Sequence, residues 1–256
     1  MIQKPIKYIV LIVISILFTS CVSRNKIVYM NNIDNSKSYE SSKQYEPTLQ
    51  PDDLLSIIIS AENPEITIPF NLPQIQGNYE INNNQNGIKT YLIDNDGFIE
   101  FPVIGKVKLA GLTRTNANKK LVQILSEYIK NPGVNLRILN YKISVLGEVT
   151  KPGSYTIPSE RITILEALSL AGDITIYGVR NNVLIIREID GKKTYNRVDI
   201  TNADFLNSPF YYLAQNDVVF IEPNKTKVNS SVIGPNASVI LSGMTVLISL
   251  LILLKK

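Results

Sequence analysis

The segment 239–254 is almost wholly apolar and closes on Lys255-Lys256. No other feature limits the fold of this chain so strongly. As a helix rising about 1.5 Å per residue it reaches roughly 24 Å, and a start just after Pro235 brings it near the hydrocarbon thickness of a thin bilayer, about 30 Å or less. Its polar residues are not scattered. Ser238, Ser242, Thr245 and Ser249 are separated by four, three and four positions, which places them on one stripe about 60° wide at 100° per residue. Two readings stay open. Either the stripe packs against another helix, as small residues do inside membranes, or it lines a wet lumen while Val, Ile, Leu and Met face lipid. The expected element is a transmembrane helix within residues 228–256.

The opposite end is also apolar. Lys4 and Lys7 precede the run 8–18, broken by Ser15, and Thr19-Ser20 lead into Cys21. The run is too short for a comfortable span and small residues follow it, the pattern of a cleaved signal peptide over residues 1–20. The segment Leu17-Phe18-Thr19-Ser20-Cys21 resembles a bacterial lipobox, although Phe18 replaces the usual small aliphatic residue. Cys21 is the only cysteine, and we expect it to be lipidated. Residues 21–46 are rich in Ser, Asn, Lys and Tyr with little apolar periodicity, and read as an extended tether.

The composition narrows the chemistry. There is no His, which removes the commonest general base and metal ligand. One Cys excludes an intrachain disulfide and a cysteine-rich zinc site. The formal net charge is +4, or 24 − 22 = +2 once Lys4 and Lys7 are removed. No basic run suggests nucleic acid. Neither a catalytic nor a cofactor-binding nor a metal site is expected. A carboxylate glycosidase needs two acids about 5 to 10 Å apart across a sugar. The candidates Asp52, Asp53, Asp94, Asp96, Glu148 and Asp217 mostly fall in turns or at strand edges, where solvated structural roles are expected.

Between the two ends the periodicity is that of a small α+β protein. A turn at Pro51-Asp52-Asp53 opens an apolar strand up to Ser60. Residues 71–87 read as a polar loop. Residues 91–101 read as a hairpin about Asn95-Asp96-Gly97, which assigns Asp94 and Asp96 to turn chemistry. A strand at 103–109 precedes a helix capped by Thr113 or Thr115, with Ala117, Leu121, Ile124, Leu125 and Tyr128 on one face. Asn131-Pro132-Gly133 stops it. Two strands occupy 134–149, and Lys151-Pro152-Gly153 turns the chain. Thr163 and Glu166 form a capping box for a helix that closes at Gly172. Strands at 183–188 and 193–200 flank Asp190-Gly191, and a last strand at 218–222 precedes Pro223. The boundary between the two halves is placed at 140–144.

Several of these segments, in this order, carry a resemblance: PDDLLSIIIS (51–60), YLIDNDGFIEFPVIGKVKLAGLT (91–113), NPGV (131–134), VLGEVTKPGSYTIP (145–158), TILEALSLAGD (163–173) and LAQNDVVFIEP (213–223). The chain resembles the polysaccharide export outer-membrane proteins of the Wza type over nearly all of its mature length. The resemblance implies an export domain at 47–140 and one soluble-ligand-binding (SLBB) β-grasp domain at 141–227, each a small mixed sheet. It further implies a homo-oligomeric ring, expected as an octamer, that passes capsular or exopolysaccharide through the outer membrane. An inner-membrane polysaccharide copolymerase or tyrosine kinase would be its partner. On this reading Ser238, Ser242, Thr245 and Ser249 line the lumen, and no cofactor is required. Departures are a single β-grasp domain, the absence of Trp, and a C-terminal helix more hydrophobic than a strongly amphipathic pore helix. The alternative is a periplasmic sugar-binding lipoprotein whose C-terminal helix is only an anchor.

Overall fold

The computed structural model describes residues 24–34, 45–71, 90–189 and 191–233, and within the C-terminal run residues 239, 242, 243, 245–247, 249 and 253. The signal segment, Cys21, Ser238 and nearly all of the polar loop at 71–87 lie outside the described residues. Among these residues the fold is mixed α and β built on small sheets, the α+β class.

The apolar residues of the middle separate into two buried clusters. Leu49, Leu55, Ile57, Phe101, Leu121 and Leu136 belong to the first. Tyr141, Ile143, Leu168, Ile185 and Val219 belong to the second.

In the first unit, β1 (Leu54–Ser60) follows a turn in which Asp52 takes a positive φ of 68°. A short helix, α1 (Pro64–Thr67), is capped by the Asn63 side chain. Next come β2 (Tyr91–Leu92), β3 (Phe98–Phe101), β4 (Gly105–Lys108), α2 (Arg114–Leu125) and β5 (Gly133–Ile138). β1 lies between β2 and β5, antiparallel to both, with Leu54 opposite Leu92 and Leu55 opposite Ile138. α2 begins where the Thr113 hydroxyl accepts the Asn116 N–H at 3.3 Å. It buries Ala117, Leu121 and Leu125, spaced four apart so that they stack on one face.

Two local expectations change here. The Asn95–Gly97 turn is present, with the Asp94 carboxylate accepting the N–H groups of Asp96 and Phe98 at 3.1 and 2.7 Å. The strands it joins, however, are not ladder partners. β2 goes to β1, while β3 pairs with β4 around residues 102–104, where Val103 has φ 68°. β2 still meets β3 through side chains, the Tyr91 ring stacking on Phe101 with centres 5.4 Å apart. Tyr128 was expected on the buried face of α2, but it is exposed and its ring lies 5.7 Å from Phe70; Ile129 is buried instead. Ile129 continues the four-residue spacing of the buried face, its N–H donating to the Leu125 carbonyl at 2.8 Å, while Tyr128 falls in the turn that follows α2.

The second unit contains β6 (Lys142–Gly147), β7 (Gly153–Thr156), β8 (Ile162–Thr163), α3 (Ile164–Leu170), β9 (Val183–Ile189), β10 (Lys192–Val198), β11 (Tyr212–Leu213) and β12 (Val218–Ile221), followed by α4 (Lys225–Ile233). Its sheet runs β10-β9-β12-β6-β7. The β12–β6 pair is parallel and its neighbours are antiparallel. The capping box forms as the spacing predicts: the Glu166 N–H donates to the Thr163 hydroxyl, and the Thr163 N–H donates to the Glu166 carboxylate at 2.7 Å. α3 then buries Ile164, Ala167 and Leu168 in the second core.

The segment 24–34, expected within a free tether, folds onto this unit. Met30 and Asn31 donate backbone N–H groups to the carbonyls of Ile200 and Thr201 at 3.2 and 2.8 Å, and Tyr29 and Met30 pack against the second core. A polar composition concealed the docking because scattered contacts carry it, the Tyr29, Met30 and Asn32 side chains and two backbone amides, without any periodic face.

Candidate functional site

The polar residues that sequence reasoning left unassigned gather where the two cores meet. Asn140 lies between them. Its side-chain oxygen accepts the Leu54 N–H at 2.9 Å, and its amide donates to the Asp52 carbonyl at 2.8 Å. Its own carbonyl accepts from Gln215 at 2.9 Å, and the Gln215 oxygen accepts the Lys142 N–H at 2.7 Å. One asparagine thus ties the start of β1 to the turn before β12. Tyr141, 2% exposed, donates its hydroxyl to the Leu213 carbonyl at 2.6 Å. Burial pushes that phenol well above its ordinary pKa.

Next to these residues, Arg187 grips Asp217 through Nε at 3.0 Å and Nη2 at 2.7 Å and also donates to the Tyr212 carbonyl at 3.0 Å. Asp217 has no exposed surface and also accepts the Ala214 N–H at 2.7 Å. Burial raises its pKa above the usual carboxylate range, while the Arg187 hydrogen bonds and charge pull it back down. Tyr45 stacks on Tyr212 with ring centres 5.0 Å apart, so the end of the tether is pinned to this joint. Its neighbour Glu46 accepts the Thr115 hydroxyl at 2.6 Å at the start of α2, and that bond, first among the causes, lowers its pKa. Arg114 to Glu160 at 3.2 Å is a further link between the units, but exposed pairs of this kind contribute little.

Asp53 and Asp217, expected as solvated turn residues, are therefore corrected to fully buried ones. Asp53 Oδ2 accepts the Gln50 N–H at 2.8 Å, while Oδ1 has no hydrogen-bond partner among the described residues. Burial pushes its pKa up to about 6. Neither acid presents an oxygen to a sugar-sized cleft. Glu148 is occupied by the Thr175 hydroxyl at 2.9 Å. An open hollow of about 240 Å³ contains Asp94 and Glu100, and one Asp94 oxygen is already filled by the turn amides. Among the described residues no group of three or more acid or thiol side chains is placed to hold a metal. The cluster joins the two units rather than doing chemistry. In the sequence, Arg187 interrupting the apolar strand 183–189 was the one visible sign of it.

Ser242, Thr245 and Ser249 are helical and exposed. The Thr245 hydroxyl donates to the Ser242 carbonyl and the Ser249 hydroxyl to the Thr245 carbonyl, both at 2.8 Å. Ser238, the fourth member of the stripe, and the lipidation residue Cys21 lie outside the described residues. Among the described residues no helix is long and apolar enough to cross a membrane.

Comparison with known proteins gives a consistent family. Residues 41–139 match the family model described as "Polysaccharide biosynthesis/export protein". The chain is 28% identical over 193 residues to the EPS I polysaccharide export outer membrane protein EpsA of Ralstonia solanacearum, covering 72% of this chain and 50% of that protein. It is 30% identical over 141 residues to the protein of the same name from Ralstonia nicotianae, covering 53% of this chain and 37% of that one. The chain spans at most about half the length of these relatives. Both relatives are named for polysaccharide export. The matched segment encloses the whole first core, from Leu49 to Leu136, so the resemblance to the polysaccharide biosynthesis/export family rests on a complete folded unit.

Proposed function

We propose that this chain is a subunit of an outer-membrane passage for capsular or exopolysaccharide. The observation that carries the proposal is the coincidence of the family match at 41–139 with a complete buried core at 49–136. The names of the relatives support both the export role and the outer-membrane location. On this reading residues 47–140 are the export domain and 141–227 the SLBB β-grasp domain. The sheet order, with the first and last strands of the unit parallel at its centre and one helix packed against it, supports the second assignment. Cys21 carries the lipid, the folded units stand in the periplasm, and residues 228–256 enter the membrane as a helix. Subunits close into a ring, an octamer in the proposal, and an inner-membrane copolymerase or tyrosine kinase delivers the polymer.

The mechanism needs passage rather than catalysis. A hydrated polymer moves through a path whose groups exchange hydrogen bonds with sugar and water at little net gain. Hydroxyls suit that role. Thr245 and Ser249 place their protons on backbone carbonyls, so their oxygens keep acceptor capacity for a wet lumen while the donors stay satisfied. The test is projection imaging of the full chain extracted in detergent, together with the mass of its mature N-terminus. Closed rings and a lipidated Cys21 are expected. A monomer at every concentration would refute the passage and favour the anchored sugar-binding lipoprotein.

A further inference from the structure

The loop at 173–180, between α3 and β9, receives the described chain from both ends. From the N-terminal side, the Tyr29 hydroxyl donates to Asp173, and its ring lies 5.5 Å from the Arg180 guanidinium. The 3-10 turn Arg24–Lys26, whose Arg24 carbonyl accepts the N–H groups of Ile27 and Val28, keeps Arg24 and Lys26 close in the chain to that anchor. From the C-terminal side, the Asn224 N–H donates to the Tyr177 carbonyl at 2.7 Å where α4 begins. The Lys227 ammonium sits 5.3 Å over the Tyr177 ring and 3.8 Å from Glu148.

The loop is firmly held. Arg180, only 6% exposed, donates to the carbonyls of Ile174, Thr175 and Gly178. Thr175 is bonded through both its amide and its hydroxyl to Glu148. A Cβ on Gly178 would lie 2.3 Å from the Ile174 side chain and 2.9 Å from the Glu148 carbonyl. Yet the tip carries Ile176 at 60% and Tyr177 at 41% exposure, and Val228 on α4 beside Lys227 is 49% exposed. A fastened loop that holds an aliphatic and an aromatic side chain out in water presents them, preformed, to a partner. The surrounding charges indicate which one. Arg24, Lys26, Lys225 and Lys227 are exposed, four cations against two nearby acids, Asp173 and the Glu148 that pairs with Lys227.

We propose that Ile176, Tyr177 and Val228 form a docking tip that enters the headgroup layer of a phospholipid surface containing anionic lipid, while Arg24, Lys26, Lys225 and Lys227 meet its phosphates. The inference rests on the membrane-anchored reading above. Two observations favour lipid over a protein partner. The basic collar is complementary to phosphate. In addition, both apolar runs of the sequence, 8–18 before Arg24 and 239–254 after α4, connect to segments fastened to this one loop. The tip would then set the orientation of the second unit against the bilayer.

The full chain, reconstituted into vesicles of phosphatidylethanolamine with a minor share of phosphatidylglycerol, provides the test. An environment-sensitive fluorophore is attached through Ile176→Cys or, as a control, through Tyr195→Cys, a position 66% exposed on β10. Circular dichroism confirms that both variants are folded. At 176 a blue shift is expected, with severalfold quenching by a lipid bearing a headgroup nitroxide, and Lys225→Gln with Lys227→Gln should weaken the quenching. At 195 neither effect is expected. A label at 176 as open to aqueous iodide as the control, in protein that still sediments with vesicles, overturns the docking tip and leaves the anchored reading intact. A label shielded from iodide but insensitive to the nitroxide lipid overturns the lipid assignment in favour of a protein cover. Failure to sediment overturns the tip and the anchored reading together.

Discussion

Replacing Asp53 by Asn should change how the stability of the protein depends on pH. The side chain is fully buried, one oxygen accepts only the Gln50 N–H, and the other has no hydrogen-bond partner among the described residues. Burial, reinforced by the charge of Asp52 and only partly opposed by the Gln50 amide and the nearby Gln215 side chain, pushes its pKa from 3.8 to about 6. The folded protein therefore holds this proton more tightly than the unfolded chain. The stabilisation is complete below about pH 4 and is lost as pH rises through about 6, because above that value a bare carboxylate must stay buried. The step corresponds to about 3 kcal/mol. Asn keeps an acceptor for Gln50 and carries no charge at either end of the window. Relative to Asp53→Asn, the unmodified protein should lose about 3 kcal/mol of unfolding free energy between about pH 4 and about pH 7. Urea unfolding of the detergent-solubilised full chain measures this, followed by tyrosine emission, since there are 13 Tyr and no Trp. Parallel pH profiles for the two proteins would refute the argument.

Other consequences follow from the joint, the central strands and the C-terminal stripe. Arg187→Ala leaves the fully buried Asp217 with the Ala214 amide but no countercharge, and thermal unfolding should show a loss of about 3–5 kcal/mol. Gly147 has φ 91°, and a Cβ there would lie 2.0 Å from the Ile221 carbonyl oxygen. Gly147→Ala should therefore break the β6–β12 ladder and lower stability by about 2 kcal/mol or more in the same measurement. In the assembled protein, cysteines introduced by Ser242→Cys, Thr245→Cys and Ser249→Cys should react with a membrane-impermeant thiol reagent, while Leu247→Cys should resist. Equal protection at all four would rule out a lumen.

The parts of the fold that were legible in the sequence are those fixed within a few residues. The Thr163–Glu166 box, the Asp94 turn and the Thr113 cap depend on contacts three or four positions apart, and the sequence states those contacts directly, whereas the helix expected to run to Asn131-Pro132-Gly133 ends at Leu125. Pairing across the chain was less legible. Alternation at 91–101 identifies two strands but cannot say that β2 belongs to β1 and β3 to β4, since either pairing satisfies the same pattern. Asp53 and Asp217 lie in turns, where acids are normally solvated, and the burial of Asp217 comes from Arg187, thirty residues away in the chain. The joint as a whole was not foreseen, because Tyr45, Asn140, Arg187 and Gln215 are far apart in the chain and share no periodicity.

The position of β12 also governs when the molecule can become a molecule. β6 emerges early and β9 in the middle, yet each finds its neighbour only when Val218–Ile221 arrives between them. Until then the second unit is two separate hairpins, β6–β7 and β9–β10, each with an open edge and half a core. A chain threaded across a membrane from its N-terminus would carry these sticky edges through most of its journey. Completion comes at Ile221, just before the apolar tail. Chains interrupted before Val218 would keep both edges open, so the last short strand completes the whole second half.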